Sequence, residues 1–588
     1  MQHRSMRYLV LLAVALLSAH RDEGPTVEAK LDRLADKFVD QQLQHDPTLS
    51  YSTGVPATDQ SRLADRRLQA IERQVAEERE DLREVLAFDA SALSPTARAT
   101  YATLREQLES DLQMRICRTE LWDVNHFDGW QLHFAEVAAR QSVKTARDRE
   151  EALRRWNSMP QYVDVEIANL KVGLMNGYSA PKSVVGRAIR QMRSMTPTDP
   201  EKSPFFSPAE RSSDLIFRKS FRQVVVERIN PALRKYAAYL EQEYLPKARE
   251  GVALSDLPNG EACYAAFLRA NTTLSRTPEE VFGLGEQIVA ANLSEVRKFG
   301  ERSYHTSDPA AILRAIKSNP AEHFESKDEL FTFSQKFLGR AKNITSTKLI
   351  AEMPKQDVVI RSLSAFEEAA GVGSRFQQEP DPSKPAVYYI KLGGWATQTR
   401  AEAEITAVHE TVPGHFLQKA LASEFQKPSK LSRFVDNAAY SEGWARYAEA
   451  MSEKAGIYDT EDAAILRRMW PARGMVVDPG LHVFHWTRQQ AIDFMMVSGR
   501  FTAEEANDYV DRIAVMPGQL TSYDSGAQEI IALCEEAKSR LGERFDLRSF
   551  NRAVLEEGVV PLGELRAHIS DWISSQQING KGGSQRRE

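Results

Sequence analysis

The chain has 588 residues, of which 42% are hydrophobic and 27% are charged, and its formal net charge at pH 7 is -6. This composition is typical of a large globular protein with a substantial core. The small negative charge provides no electrostatic basis for nucleic-acid binding, so we expect no nucleic-acid partner. No sequence pattern indicates an oligomeric state.

The first residues have the features of an export signal. Arg4 and Arg7 precede the apolar segment 8–17, which is too short to span a bilayer. The following residues resemble a lipoprotein box in which His20 replaces the required cysteine. We therefore predict a signal peptide at residues 1–19 and an exported protein, periplasmic or extracellular, without a stable membrane anchor. An uncleaved N-terminal segment is the alternative.

Helical periodicity extends over most of the remaining sequence. Apolar residues recur three and four positions apart among Ala, Leu, Glu, Gln and Arg, which favours amphipathic helices. The longest such segments are 61–88, 94–115, 136–172 and 209–246. Thr277-Pro278-Glu279-Glu280 has the composition of a capped helix start. The Pro- and Ser-rich segment 196–213 is predicted to be a surface loop.

Two short segments have strand composition, at residues 357–362 and 386–391. They predict a small sheet immediately upstream of a histidine-rich motif. A strand at this place could pair with the backbone of an extended substrate, with Tyr389 in contact with it. A purely structural ribbon is an equally weighted alternative.

These patterns predict a mainly α fold with a small β-sheet. We divide the chain into the signal peptide, an N-terminal helical region at 24–250, a catalytic helical region at 251–575 and a disordered tail at 576–588. Three cysteines allow at most one disulfide, and we interpret them as buried core residues: Cys117, Cys263 and Cys534.

The segment Thr406-Ala-Val-His-Glu-Thr-Val-Pro-Gly-His-Phe-Leu-Gln418 carries the chemistry of a metal site. Imidazole binds zinc, and the carboxylate of Glu410 can take a proton from water. His409 and His415 are six residues apart, so on a regular helix they would point about 120° apart. Because proline lacks an N–H and glycine is conformationally permissive, Pro413-Gly414 predicts a break that returns His415 to the same point.

A catalytic zinc ion needs a third protein ligand. The best candidate is Glu442, which lies 27 residues after His415 on a helix-like segment. Glu449 lies on the same face two turns later and is either the alternative ligand or a hydrogen-bond partner of one. A helix-capping or ion-paired carboxylate is the structural alternative for Glu442.

Two downstream clusters offer groups that could stabilise an oxyanion or orient a substrate. In the first, His482 is a candidate proton donor, Arg473 a candidate substrate-binding residue and Asp478 a candidate partner of the ligands. In the second, Tyr523 is a candidate proton donor and Gln519 a candidate substrate-binding residue. Structural hydrogen bonding is the alternative for His482 and Tyr523.

Four motifs in this order resemble a bacterial family of predicted zinc peptidases, the domain of unknown function 885. They are His-Glu-x-x-Pro-Gly-His at 409–415, Glu-Gly-Trp-Ala at 442–445, Asp-x-Gly-Leu-His at 478–482 and Pro-Gly-Gln-x-x-x-Tyr at 517–523. The family resembles thimet-oligopeptidase-like and angiotensin-converting-enzyme-like peptidases. The resemblance implies a helical fold with a central channel and a zinc ion on His409, His415 and Glu442. It also implies Glu410 as the base and Tyr523 near the oxyanion.

The sequence therefore predicts an exported metallopeptidase with one zinc ion and a peptide as its substrate. Cleavage specificity stays open, since an endopeptidase, a carboxypeptidase and a dipeptidase could all use these residues. Two alternatives remain: a helical peptide-binding protein with a relict site, and a zinc hydrolase of a non-peptide amide or ester. The intact Glu410 argues against the relict site.

Overall fold

The structure is a computed structural model that describes residues 26–363, 368, 373–379, 381, 383–425 and 429–584. The predicted signal peptide lies outside these residues. Within them the fold is mainly α with one small sheet, which confirms the predicted fold class.

Helices follow one another through short connections along most of the described chain. In chain order they are α1 (Val27–His45), α2 (Ser50–Thr53), α3 (Leu68–Leu86), α4 (Pro95–Met114), α5 (Trp130–Arg140), α6 (Ala146–Asn157), α7 (Met159–Met175), α8 (Lys182–Ser194), α9 (Ser207–Glu210), α10 (Leu215–Val224), α11 (Asn230–Tyr239), α12 (Gly260–Thr272), α13 (Pro278–Tyr304), α14 (Pro309–Ser318), α15 (Lys327–Ile344), α16 (Arg400–Glu410), α17 (His415–Phe425), α18 (Lys430–Phe434), α19 (Ala438–Ala455), α20 (Glu461–Met469), α21 (Arg473–His482), α22 (Arg488–Met496), α23 (Ala503–Val515), α24 (Gln519–Leu541), α25 (Leu547–Glu556) and α26 (Leu562–Ser584).

The predicted helical segments are present, but two of them are divided. Segment 136–172 spans parts of α5, α6 and α7, and segment 209–246 contains α10, α11 and two π-helical turns. Thr277 caps α13 in a capping box with Glu280, as predicted. Segment 196–213 is not a simple loop, because it forms short helical turns that bury Phe205 and Phe206.

The small sheet has three strands in the order β1-β3-β2: β1 (Val358–Ser362), β2 (Arg375–Gln377) and β3 (Ala386–Ile390). The two predicted strands, β1 and β3, pair in parallel, with Val358 opposite Ala386. No sequence pattern indicated β2, which has three residues and pairs antiparallel with β3. β2 is therefore an edge strand.

In the region at residues 251–575, the helices α19 and α24 approach each other at glycines. A Cβ atom on Gly526 would lie 1.7 Å from the carbonyl oxygen of Ala439, and one on Gly443 would lie 2.5 Å from the carbonyl carbon of Gly526. Only residues without a Cβ allow this distance between the two backbones. The contact places the start of α24 beside Glu442.

The N-terminal helices contact the region at residues 251–575. Phe38 of α1 packs edge-to-face on Phe434 of α18, with ring centroids 6.1 Å apart. A disulfide joins Cys117 to Cys263 in α12, and Cys534 is a buried free thiol. The predicted boundary near residue 250 stays a prediction.

The C-terminal tail differs from the prediction of disorder from residue 576. Helix α26 continues to Ser584, so residues 576–584 belong to this helix, and residues 585–588 lie outside the described residues. Among the described residues, no helix combines the length and the apolar character needed to cross a membrane.

Candidate metal site and the adjoining cavity

The predicted helix break is present. Helix α16 ends at Glu410, the Val412–Pro413 peptide bond is cis, and α17 begins at His415. A Cβ on Gly414 would lie 2.0 Å from the carbonyl oxygen of His409, so glycine is required here for space rather than for a positive φ. Trp444 of α19 donates from Nε1 to the carbonyl of Pro413 at 2.8 Å, which holds the break against α19.

The break brings His409 and His415 to one point beside Glu442. The Nε2 atoms of the two histidines lie 3.3 and 3.6 Å from Oε2 of Glu442, and the three donor atoms lie within 4.8 Å of one another. Oε2 of Glu442 is buried and has no hydrogen-bond partner among the described residues. Ligands about 2.0–2.2 Å from a tetrahedral zinc ion lie about 3.3–3.6 Å apart. This set therefore fits a zinc ion, and metal binding stays a prediction.

Glu449 supports this cluster from behind. Its Oε1 lies 2.8 Å from Nδ1 of His409, and both of its oxygens accept hydrogen bonds from Arg446 at 3.0 Å. Since a carboxylate accepts, Nδ1 of His409 is the donor and Nε2 is left for a metal ion. Glu449 is thus placed as a partner of His409 rather than as the third ligand.

Charges within the cluster are strongly coupled. Burial lowers the pKa of His409, but Glu442 and Glu449 outweigh it and raise this pKa to about 10. Burial raises the pKa of Glu442, yet His409 and His415 hold that pKa well below its usual range. Two carboxylates therefore hold positive charge between them, and a divalent cation meets the same electrostatic demand.

Glu410 is positioned by the edge strand β2. The backbone N–H of Phe376 donates to Oε2 of Glu410 at 2.9 Å. Because β2 pairs with β3 along its other side, this contact lies on the free edge of the sheet. The arrangement orients the carboxylate and leaves its second oxygen for a proton.

Tyr523 and Gln519 lie on the first turns of α24, and Tyr523 is near Arg446. The Tyr523 ring lies 5.9 Å from the guanidinium of Arg446. Gln519 donates from Nε2 to the Tyr523 hydroxyl at 3.4 Å, and its Oε1 accepts from Arg512 at 2.7 Å. The structure thus places Tyr523 beside the residue that holds Glu449, and its role as a proton donor stays a prediction.

His482 and Asp478 do not join the site. His482 is fully buried, its Nδ1 accepts from the N–H of Leu254 at 3.0 Å, and its Nε2 lies 3.2 Å from the carbonyl of Ile513. Burial lowers the pKa of His482 to about 3. Asp478 accepts from the N–H of Gly518 at 2.9 Å, and burial raises its pKa to about 7. Both side chains of α21 bind backbone groups of neighbouring segments. The predictions that His482 donates a proton at the site and that Asp478 supports the ligands are therefore corrected.

Arg473 is also a structural residue. Its side chain is buried, donating to the carbonyl of Met469 at 2.9 Å and to that of Phe494 at 2.8 Å. Burial lowers the pKa of Arg473 to about 10. Because its donors are engaged within the core, the predicted contact with a substrate is corrected.

Tyr389 lies on the face of the sheet opposite to Tyr388. Tyr389 pairs with Arg375, whose guanidinium lies 5.1 Å from the tyrosine ring. Tyr388 is buried, and burial together with the charge of Glu410 raises its pKa well above the usual value. Since neighbouring strand residues point to opposite faces, Tyr388 and not Tyr389 faces Glu410. Tyr389 is only partly buried, and its contact with a substrate stays a prediction.

Two residues of the site escaped the sequence reasoning. Arg446 lies between Glu442 and Glu449, and its i, i+3 spacing to Glu449 could have indicated an ion pair. Phe376 acts through its backbone N–H, for which a sequence carries no side-chain signal.

A cavity of about 500 Å³ adjoins the cluster, and Thr406 and Arg446 are among its lining residues.

The sequence matches a family model described as a bacterial protein of unknown function (DUF885) over residues 47–569. The chain belongs to this family. The matched range includes all four motifs on which the resemblance depends, and the family description assigns no activity. No match is found among curated proteins.

Two solved structures share the fold of this DUF885 protein. One is that of "the putative lipoprotein from Colwellia psychrerythraea", with a TM-score of 0.84, 20% identity and coverage of 93% of this chain and 99% of the other. The second is "a putative lipoprotein of unknown function from Shewanella oneidensis", with a TM-score of 0.75, 19% identity and coverage of 91% and 99%. At these identities the likeness establishes the fold alone.

Proposed function

We propose that this DUF885 protein is an exported zinc-dependent metallopeptidase that hydrolyses peptide bonds of oligopeptides. The observation that carries the proposal is the convergence of His409, His415 and Glu442 at distances that suit one zinc ion. Glu410 is the last residue of α16 before the helix break, so a carboxylate lies next to the proposed metal ligands. A relict site has no need of this carboxylate.

Zinc would be held by these three side chains and would supply Lewis-acid chemistry, which makes water nucleophilic at neutral pH and polarises a carbonyl. Glu410 accepts a proton from the attacking water, because the N–H of Phe376 occupies only one of its oxygens. The hydroxyl adds to the carbonyl carbon, the C–N bond breaks, and Glu410 delivers the proton to the leaving nitrogen. Tyr523 is the candidate donor to the oxyanion.

Export is proposed on two grounds besides the N-terminal segment. A disulfide between Cys117 and Cys263 is typical of proteins that fold in an oxidising compartment. Both solved structures with this fold carry the description "putative lipoprotein", and lipoproteins are exported, although His20 replaces the cysteine that a lipid anchor would need.

The proposal is tested by Glu410→Gln, with zinc content and peptide hydrolysis measured on the same purified protein. We expect the variant to retain one zinc ion per chain and to lose about 10²–10⁴-fold in kcat, because general-base catalysis is removed while the ligands stay. A native rate in the variant would refute the mechanism. Wild-type protein that binds no zinc would refute the proposed cofactor.

Glu404→Gln is the matched control on the same helix. Glu404 is buried, and burial raises its pKa to about 8, so the carboxyl is largely neutral at pH 7. A glutamine side chain is a close neutral substitute, and its backbone contact with the N–H of Asp459 can persist. We expect the zinc content and kcat of this variant to remain within about twofold of the wild type.

A further inference from the structure

The cavity beside the metal cluster carries the features of a binding site for one end of a peptide. Thr406 lines it and lies four residues before Glu410 on α16, so the two side chains share one face of the helix. Arg446 also lines it and holds Glu449. The cavity therefore begins about one helical turn from the base, and its volume of about 500 Å³ is ordinary for a ligand site.

Positive charge in the cavity is not fully neutralised. Two of the lining cations are paired, Arg446 with Glu449 and Arg467 with Glu453. Three others have no carboxylate partner among the described residues, and these are Lys317, Lys391 and Arg500. Lys391 follows the last residue of β3, and its backbone N–H donates to Ser374 at 3.0 Å, so its position is fixed by the sheet.

The two acidic residues that line the cavity are already engaged at helix starts. Glu402 accepts from the N–H of Thr399 at 3.1 Å, and Glu505 accepts from the N–H of Thr502 at 2.9 Å. Each closes a capping box, where the positive end of the helix dipole compensates its charge. The lining thus favours an anionic group on a ligand.

Aromatic side chains line the same cavity as these cations. Trp470, Phe501 and Tyr509 line the cavity and contact one another, with ring centroids 5.1–5.2 Å apart. Phe501 is buried, whereas Trp470 and Tyr509 are only partly buried, so these two rings offer a surface for an apolar or aromatic side chain. A ligand that suits this cavity therefore combines a carboxylate with an apolar group.

We propose that the cavity binds the C-terminal residue of the peptide substrate, with its free carboxylate at Lys391 and Arg500 and its apolar side chain against Trp470 and Tyr509. This inference rests on the proposed peptidase function and narrows it to cleavage near a free C-terminus. A peptide end satisfies both parts of the lining at once, because every terminal carboxylate is next to a side chain.

The first test compares three peptides of one sequence that ends in phenylalanine, in glycine or in phenylalanine amide. We expect the free-acid phenylalanine peptide to have the lowest KM and the amide a KM about 10- to 100-fold higher, since the charge-assisted contacts with Lys391 and Arg500 are lost. Little change in kcat is expected, because the contact is made in both the ground state and the transition state. Equal KM values for acid and amide would overturn the proposal.

A fourth peptide, with glutamate amide at its C-terminus, distinguishes a side-chain carboxylate from a terminal one. We expect it to be cleaved as poorly as the phenylalanine amide. A KM as low as that of the free acid would overturn the assignment to the C-terminus, because any carboxylate would then suffice.

Substitutions test which cations hold the carboxylate. Lys391→Met and Arg500→Met are expected to raise KM for the free acid about 10- to 100-fold and to leave KM for the amide unchanged. Lys336→Met is the matched control, because Lys336 is an exposed lysine of α15 outside the cavity lining. Equal losses on the acid and the amide would indicate a general structural effect and would overturn the assignment.

A binding measurement separates this inference from the proposed function. Calorimetry with the Glu410→Gln variant measures the affinity of the acid and amide peptides without turnover, and the variant that also carries Lys391→Met should lose the preference for the acid. A preference for the acid that persists in this double variant would overturn the role of Lys391.

If no peptide is hydrolysed but the acid is still bound more tightly than the amide, the peptidase function is refuted and the binding site is supported. If all peptides are hydrolysed with equal KM, the function stands while the binding site fails.

Discussion

Glu449 determines which nitrogen of His409 faces the cluster. Its carboxylate accepts a hydrogen bond from Nδ1–H at 2.8 Å, and Nε2 is consequently directed to Glu442. Arg446 in turn fixes both oxygens of Glu449. Such outer partners fix the tautomer and the ring orientation of a metal-binding histidine. At this scale the site depends on a chain of contacts that begins at Arg446 and ends at Nε2 of His409.

We predict that Glu449→Gln lowers zinc affinity by about 10- to 100-fold, because the amide orients His409 less firmly and makes its ring less basic. Competition with a chromophoric chelator measures the dissociation constant. Glu453→Gln is the control, since Glu453 lies one turn further along α19 and is paired with Arg467 and Arg468 away from the cluster. Unchanged affinity in Glu449→Gln, or an equal loss in the control, would contradict the role of Glu449.

Some of the predicted site residues meet in the structure, and others are engaged in the core. His409, His415 and Glu442 were identified by donor chemistry and spacing, and the structure brings them together. His482, Arg473 and Asp478 have equally suitable side chains, but the core engages all three. Whether a polar side chain faces a cleft or fastens a loop depends on the segments that surround it, and those segments are distant in sequence: Leu254 and Ile513 contact His482.

The glycine contact between α19 and α24 controls the site at the scale of elements. Glu442 precedes Gly443 on one helix, and Tyr523 lies three residues before Gly526 on the other. Because backbone meets backbone at these glycines, the distance between the helices has no flexible side chain to adjust it. The close packing therefore determines the positions of Glu442, the candidate ligand, and Tyr523, the candidate proton donor.

Gly526→Ala is expected to push α19 and α24 apart, because the new Cβ would lie 1.7 Å from the carbonyl oxygen of Ala439. We predict a loss of about 1–3 kcal/mol in the free energy of unfolding and weaker zinc binding. Thermal unfolding and chelator competition measure the two effects. Gly283→Ala in α13 is the control, because no atom lies within 4 Å of its Cβ position, and it should be neutral or stabilising by about 0.5–1 kcal/mol. A Gly526→Ala variant with wild-type stability and zinc affinity would refute the prediction that the glycine contact determines the geometry of the site.

At the scale of the whole molecule, one disulfide joins the N-terminal helices to the region at residues 251–575. Cys117 follows α4 and Cys263 lies in α12, with a sequence separation of 146 residues. A cross-link over so long a loop restricts the unfolded chain, and the chain-entropy model gives about 5 kcal/mol as its effect. The sequence allowed one disulfide and did not indicate which pair.

We predict that the double variant Cys117→Ala/Cys263→Ala is less stable by about 2–5 kcal/mol and has a lower Tm. Mass spectrometry of the wild-type protein under non-reducing conditions should show the loss of two hydrogen atoms, and reductant should lower its Tm but not that of the double variant. Cys534→Ala is the control, because this buried thiol is free and its variant should keep the response to reductant. Three reactive thiols in unfolded, unreduced wild-type protein would contradict the link.

The sequence by itself determined what is local: the helical class, the capped start of α13 and the break between His409 and His415. Backbone chemistry explains this success, because Pro413 cannot donate to the helix and Gly414 is the residue that fits against the carbonyl of His409. Only the tertiary structure decided which distant groups meet. It placed Glu449 behind His409, the N–H of Phe376 at Glu410 and His482 in the core, because each depends on packing between elements that are far apart along the chain.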